Sequence, residues 1–153
     1  MVAVAVFAVA VCACGGNRKK GGGGEAVTGQ VTSKTSGVAE NIITPPVSGI
    51  VKLAFTDGRA EAIIRKAEGK TVYLEFESEG YKKLTGSLSS DDAAANVRFA
   101  QIFMPDGTAD GPFGPGISYD LPSDGAYKLS VNENIMAGDP WSGVFKVEIT
   151  LGN

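Results

Sequence analysis

The sequence predicts an all-β protein: an antiparallel β-sandwich of jelly-roll type, with seven or eight strands, that follows a disordered N-terminal tether. From about residue 47 onward, apolar residues recur at every second position in short runs, as they do in strands with one face on a core. Turn-forming pairs such as Asp57-Gly58 and Asp124-Gly125 separate these runs. Before Pro45-Pro46 the chain is rich in glycine, serine, threonine and charge, so it cannot bury enough apolar surface to order itself.

The strands are predicted in chain order from this alternation. The runs with period two are 51–55, 72–77, 117–121, 127–131 and 145–151. Residues 96–104, NVRFAQIFM, are apolar on both faces and predict a central, buried strand. Strands of this number and length indicate two sheets packed face to face, about 10 Å apart.

Two segments carry mixed signals. Residues 59–69, RAEAIIRKAEG, have apolar positions at helical spacing and many helix formers. We nevertheless predict a strand there, because the segment lies between two strands and ends in tight turns. Residues 89–96, SSDDAAAN, resemble a helix start with Ser90 as the N-cap, and we predict a loop with room for a single turn.

The N-terminus has the features of a targeting signal. Residues 1–13 are almost entirely apolar, and a helix of that length, roughly 20 Å, is too short to cross a bilayer. Val11-Cys12-Ala13-Cys14 resembles the bacterial lipobox, with Cys14 as the lipidated residue. Cys12 is unusual at its position, and no Lys or Arg precedes the apolar run. The predicted organisation is a signal peptide (1–13), a lipidated flexible linker (14–46) and a sandwich domain (47–153).

Composition excludes several classes of function. The chain has no histidine, and Cys12 and Cys14 are its only cysteines, so histidine-dependent catalysis and a four-ligand cysteine site are ruled out. Residues 48–153 carry ten basic and fifteen acidic side chains, a net charge of −5. Nucleic acid is therefore not an expected partner. We expect a protein that is not an enzyme.

A series of small motifs resembles the bacterial pre-peptidase C-terminal (PPC) fold, a broad family that is similar to the periplasmic inhibitors of g-type and i-type lysozyme. The matching residues are Tyr73, Gly80, Leu84, Leu88, Ala95-Asn96, Pro105-Asp106-Gly107 and the run 121–127, LPSDGAY. The resemblance covers most of residues 50–151. It implies a β-sandwich and, more specifically, an inhibitor that binds lysozyme.

The run 123–127, SDGAY, has two interpretations. The lysozyme inhibitors place a loop of the type Ser-Gly-x-Tyr in the enzyme's cleft, which by resemblance makes Ser123 and Tyr127 candidate contacts. Here Asp124 is inserted between the serine and the glycine. Asp-Gly-x-Tyr is also what a sandwich of this type would use for a tight turn and a core tyrosine.

Three other features are candidate sites. Asp106 and Asp110, among the glycines of residues 105–116, offer oxygen ligands for Ca²⁺, but the ligand spacing of an EF-hand is absent. Phe113 is either an exposed anchor or a plug beneath its loop. Trp141 is either an anchor for a protein or sugar or a lid on the sandwich core. Apart from calcium, we expect no cofactor.

From these observations we predict a lipid-anchored protein of the bacterial envelope, facing the periplasm or the cell surface. Its function is expected to be non-catalytic binding through loops at one end of the sandwich. Inhibition of lysozyme, with the loops 105–116 and 122–127 inserted in the enzyme's cleft, is the sharper alternative. A structural or assembly accessory of an envelope complex is a further alternative. The expected partners are the membrane, through the lipid, and a protein.

Overall fold

The computed structural model describes residues 41–153. Cys14, the predicted signal peptide and most of the predicted linker lie outside this range. Within it there is no helix. The ten strands are β1 (Ile42–Ile43), β2 (Ile50–Lys52), β3 (Arg59–Lys66), β4 (Val72–Glu77), β5 (Lys83–Ser89), β6 (Val97–Phe103), β7 (Ala109–Asp110), β8 (Gly116–Asp120), β9 (Ala126–Glu133) and β10 (Gly143–Gly152).

The strands form a sandwich of two five-stranded sheets, which confirms the predicted fold class. The first sheet has the order β1-β3-β10-β5-β8 and the second β2-β4-β9-β6-β7. The count of ten exceeds the predicted seven or eight, because β1 and β7 are two residues long and carry no alternation to detect. The sheets are also not wholly antiparallel, since β1 pairs parallel with β3 and β2 parallel with β4.

Both ambiguous segments have the structure that was predicted. Residues 59–66 form β3, paired with β10 over eight residues and with β1 at its other edge. The inward positions of β3 are Ala60, Ala62, Ile64 and Lys66, so its burial alternates with period two despite the helical spacing of the apolar residues. Residues 90–96 form a loop with one turn.

Strand β6 differs from the prediction in a way that its sequence encodes. The register against β9 shifts between Phe99 and Gln101, so Ala100 forms a bulge. Phe99 and Ile102 both face the core with no exposed surface, three residues apart instead of two. The bulge explains why NVRFAQIFM is apolar at both odd and even positions. β6 lies between β9 and the short β7, and Gln101 is exposed on its outer face.

Two connections cross between the sheets at the two sides of the sandwich. The first strap, residues 44–49, joins β1 of one sheet to β2 of the other, and the second strap, residues 111–115, joins β7 to β8. In the second strap the amide of Phe113 donates to the carbonyl of Phe99, and the amide of Phe99 donates to the carbonyl of Gly114. The straps therefore cover edges that would otherwise be open to pairing with other chains. β1 lies upstream of Val47, within the segment that the sequence assigned to the linker.

The connections between strands gather at two opposite ends of the sandwich. We call one the Asp124 end, formed by the loops 56–58, 78–82, 104–108 and 121–125. The other is the Glu133 end, formed by the first strap and the loops 67–71, 90–96 and 134–142. Residues 41–153 lie in one compact unit, and its core of buried side chains lies entirely between Val51 and Leu151.

Candidate functional site

A buried serine, Ser78, joins two of the loops at the Asp124 end. Ser78 has no exposed surface, and its amide donates to the carbonyl of Gly125 (3.0 Å). Its hydroxyl accepts from the amide of Gly125 (3.1 Å) and donates to Oδ1 of Asp124 (3.2 Å). A Cβ atom added to Gly125 would lie 3.0 Å from Pro105, so three loops meet here. Such mutual bracing holds a loop surface in one conformation before a partner arrives.

Ser123 and Tyr127 have different environments. The Tyr127 ring is 1% exposed and stacks on Phe76 with ring centres 5.7 Å apart. Its hydroxyl donates to the carbonyl of Ser123 at 2.7 Å, which ties the loop to the core. Ser123 itself is exposed. The burial of Tyr127 favours the core-tyrosine interpretation, whereas Ser123 is available to a partner.

The turn at residues 105–108 is built by Asp106. Its Oδ1 accepts from both the hydroxyl and the amide of Thr108, at 2.6 and 2.9 Å, as aspartate does in Asx turns. Those two hydrogen bonds, the hydroxyl first, hold the pKa of Asp106 below its ordinary value. Gly107, with φ +86°, supplies the left-handed conformation that the turn requires. Asp106 therefore stays ionised at the tip of the loop.

The loops of the Asp124 end carry an excess of negative charge. Their four carboxylates are Asp57, Glu79, Asp106 and Asp124, against one cation, Lys82. Lys82 approaches Asp124 at 3.7 Å, and both side chains are more than half exposed, so water screens this pair. The negative field of this end favours a positively charged partner.

Ser78 and Glu79 follow the predicted strand 72–77, but the sequence did not point to them as residues of the loop surface. Glu75, Glu77 and Glu79 alternate in the sequence as if along one strand face. Strand β4 ends at Glu77, and Glu79 has φ +50° in the following turn, so only two of the three belong to the strand. Ser78, a polar residue between two glutamates, gave no signal of burial. A groove of about 430 Å³ beside these loops includes Phe103 and Lys128.

Phe113 lies in the second strap and packs inward. It is half-buried and meets the ring of Tyr119 edge-on, with centres 5.9 Å apart. Burial raises the pKa of the Tyr119 hydroxyl, and the nearby charge of Asp110 raises it further. Phe113 is thus placed as a plug between the strap and the core.

Trp141 belongs to the opposite, Glu133 end. It is 5% exposed, and its Nε1 donates to Oδ2 of Asp92 at 2.8 Å. That hydrogen bond, with a second from the amide of Ala94, lowers the pKa of Asp92. The burial of Trp141 favours the lid interpretation, and its position separates it from Ser123 by the length of the sandwich.

The structure does not add a further acidic ligand to Asp106 and Asp110. Asp106 is turned onto Thr108, and the carboxylate of Asp110 accepts from the amide of Gly111 at 2.7 Å. Within residues 41–153 no three His, Cys, Asp or Glu side chains lie close enough to share a metal ion. A calcium site at this pair stays a prediction, tested by a shift in melting temperature with Ca²⁺ and with EDTA.

Fold and site together define a class of protein: a β-sandwich with a braced, acidic loop surface at one end. No helix in residues 41–153 has the length and apolarity needed to cross a bilayer. No family model and no curated protein sequence matches the chain.

Solved structures of similar architecture include PliG, a periplasmic lysozyme inhibitor of g-type lysozyme, from three bacteria. The protein from Aeromonas hydrophila is 15% identical, covers 72% of this chain and 98% of its own, and superposes with a TM-score of 0.49. The protein from Salmonella Typhimurium is 16% identical, with 67% and 97% covered and a TM-score of 0.47. A mutant of the Escherichia coli protein is 17% identical, with 67% and 96% covered and a TM-score of 0.40.

Proposed function

We propose that this chain is a non-catalytic binding protein of the bacterial envelope, which binds a positively charged protein through the loops of its Asp124 end. The observation that carries this proposal is the set of hydrogen bonds by which buried Ser78 ties the loop 78–82 to the loop 121–125, where Gly125 lies against Pro105 of a third loop. A loop surface held in advance loses little conformational entropy on binding. Its excess of carboxylates would accelerate encounter with a basic partner.

The proposal is tested by a pull-down from envelope fractions and host secretions with residues 37–153, which keep the whole core. Ser123→Arg places a bulky positive charge on the loop surface without touching the core. Ser87→Arg, on the exposed outer face of β5, is the matched control. A true partner is retained by the wild type and by Ser87→Arg and lost with Ser123→Arg. If Ser123→Arg and Ser87→Arg retained the same proteins, the proposal would be contradicted.

Inhibition of lysozyme is the specific form of this proposal. It is supported by the sequence resemblance described above and by the acidic character of the loops, which suits a basic lysozyme. We expect residues 37–153 to inhibit lysis of cell-wall substrate by at least one of the c-, g- and i-type enzymes. Inhibition should weaken as salt screens the charges and should be lost with Ser123→Arg. If all three enzymes keep full activity, the partner is another protein.

Attachment to the membrane through Cys14 completes the proposal and rests on the sequence of residues 11–14 alone. Metabolic labelling with a fatty acid, followed by intact-mass measurement, decides it. Cys14→Ser is expected to abolish labelling and Cys12→Ser to preserve it. A protein that retains its first thirteen residues with Cys14 unmodified would contradict the anchor.

A role as an assembly accessory would call for a flat apolar patch. The strongly exposed large apolar residues of the described chain lie instead on loops: Val47, Ile135 and Met136. Binding through the Asp124 end is therefore the function that the geometry supports best.

A further inference from the structure

Strand β8 is the longest strand at an edge of the sandwich. The edge strands β1 and β7 are two residues long and β2 is three, whereas β8 has five. Within residues 41–153, β8 pairs with β5 on one side and with no strand on the other. An open edge of this length is a template for pairing with a further strand.

The backbone of β8 directs alternate residues toward β5 and toward solvent. The amide of Leu121, the residue after β8, donates to the carbonyl of Lys82 at 2.7 Å. Because backbone N–H and C=O groups alternate in direction along a strand, the odd-numbered residues of β8 also bond to β5. The amides and carbonyls of Gly116, Ser118 and Asp120 therefore point away from β5, and all three residues are exposed.

Strand β8 lacks the features that usually protect an edge. It contains no lysine or proline, and its one charged residue, Asp120, is the last. Its pairing with β5 runs without a bulge. The backbone of the second strap bonds to Phe99 of β6 and Leu88 of β5, so it leaves the outer edge of β8 itself uncovered. Because proteins usually block such edges against association, an unblocked edge indicates an interaction surface.

The sequence of β8 is complementary to itself in the antiparallel direction. If two copies pair about a two-fold axis at Ser118, Ser118 faces its own equivalent and Gly116 faces Asp120 of the other copy. These are the residues whose backbone groups are free, and no like charges lie opposite each other. On the inward face, Ile117 lies opposite Tyr119, a β-branched and aromatic pair that stabilises strand pairing. Tyr119 is only partly buried in one copy, so the pairing would cover more of its ring.

We propose that two copies of this chain pair through the outer edges of β8, antiparallel and centred on Ser118. The pairing joins the first sheets of the two copies into one continuous sheet through about six backbone hydrogen bonds. A two-fold contact uses the same edge of each copy, so the assembly closes as a dimer. Because the two β8 strands run in opposite directions, the two Asp124 ends also point in opposite directions, and both stay accessible to a protein partner.

The test is the mass of residues 37–153 in solution, measured by sedimentation at chain concentrations from about 1 μM to 1 mM, the affinity range of a small interface. We expect the average mass to rise with concentration from that of one chain to that of two. Ser118→Lys places like charges opposite each other at the axis and should weaken association about fivefold or more. Ser87→Lys makes the same change on the exposed outer face of β5 and should not weaken it.

A charge pair across the axis tests the register. Ser118→Asp alone should weaken association as Ser118→Lys does, because like charges again face each other. An equal mixture of the two variants should associate at least as well as the wild type, because opposite charges then face each other. Such rescue requires Ser118 to lie opposite its own equivalent. The emission of Trp141, the only tryptophan, checks that each variant is folded.

The inference is overturned if the wild type keeps the mass of one chain up to about 1 mM, or if Ser87→Lys weakens association as much as Ser118→Lys. It is also overturned if the mixture of the two Ser118 variants associates no better than either alone. Ser123→Arg should leave the dimer intact, which separates this edge from the loop surface of the proposed function. Loss of the dimer in Ser123→Arg would assign the contact to the Asp124 end instead.

Discussion

Gly111 shows how one residue fixes the path of the second strap. It has φ +148°, and a Cβ atom there would overlap the carbonyl oxygen of Ala100. Ala100 is the bulge of β6, so the strap passes directly over the irregular part of the strand. Only a residue without a side chain permits this approach.

We predict that Gly111→Ala lowers the free energy of unfolding by about 2–4 kcal/mol, from the overlap and the backbone strain together. Gly107→Ala is the matched control, because Gly107 also has positive φ but nothing lies within 4 Å of an added Cβ. It should cost about 1 kcal/mol. Urea unfolding of both variants measures the difference, and equal losses would show that the contact with Ala100 is unimportant.

At the scale of elements, a buried ion pair joins the two sheets at the Glu133 end. Lys66 at the end of β3 and Glu133 at the end of β9 are 2.6 Å apart, with side chains 0% and 7% exposed. The amide of Gly69 also donates to Glu133, at 2.8 Å. Burial alone would raise the pKa of Glu133, but the hydrogen bonds from Lys66 and Gly69 outweigh it and hold the pKa below its ordinary value.

We predict that Glu133→Gln destabilises the fold by about 3–5 kcal/mol at pH 7, since it leaves the Lys66 ammonium buried without its counter-charge. A carboxylate with a lowered folded pKa stabilises the fold above its unfolded pKa, about 4.3, and this stability is lost as pH falls through the folded value. The difference in the free energy of unfolding between wild type and Glu133→Gln should therefore become smaller below about pH 4.

The control for this prediction is Glu148→Gln, which removes an exposed partner of Lys146 at 3.1 Å. Exposed pairs contribute less than about 1 kcal/mol, so this variant should melt close to the wild type. Thermal unfolding from pH 3 to 8 compares the three proteins. If the difference in melting temperature between Glu133→Gln and wild type stayed constant across that range, the ionised state assigned to Glu133 would be contradicted.

The same elements show how far the sequence could be interpreted. The inward faces of β4, β9 and β10 follow from period-two alternation, because each strand buries one face and exposes the other to solvent. For β3 the alternation was obscured by Lys66, a charged residue at an inward position. Local propensity favoured a helix there. Pairing with β10 and β1 decided the strand, since backbone pairing and burial outweigh propensity differences of a few tenths of a kcal/mol per residue.

For the whole molecule, the two straps decide which edges are protected. β1 and β2 flank one side of the sandwich, and β7 and β8 flank the other. Each of these pairs is joined by a strap that changes sheet. Ile43 packs against the core, so β1 contributes side-chain burial as well as backbone pairing with β3.

We predict that a fragment starting at residue 45, which lacks β1, is less stable and more prone to aggregate than residues 37–153. The loss of β1 exposes the edge of β3 and leaves the first strap attached to only one sheet. Ile43→Ala in the longer fragment should reproduce only the part of the stability loss that is due to side-chain burial. It should cause little aggregation, because β1 still pairs with β3. Urea unfolding and light scattering measure the two effects. Equal stability of both fragments would show that the domain begins at the strap.

The sequence by itself determined the fold class, the inward faces of most long strands and the absence of a histidine-dependent site, because periodicity and composition are local properties. It also brought Ser123, Tyr127, Phe113 and Trp141 forward as candidates. Tertiary structure alone decided that Phe113 and Trp141 pack inward, and that Ser78 ties two loops together at one end. The positions of Ser78 and Trp141 depend on contacts between residues 46 and 49 positions apart, Ser78 with Asp124 and Trp141 with Asp92, which no local pattern records.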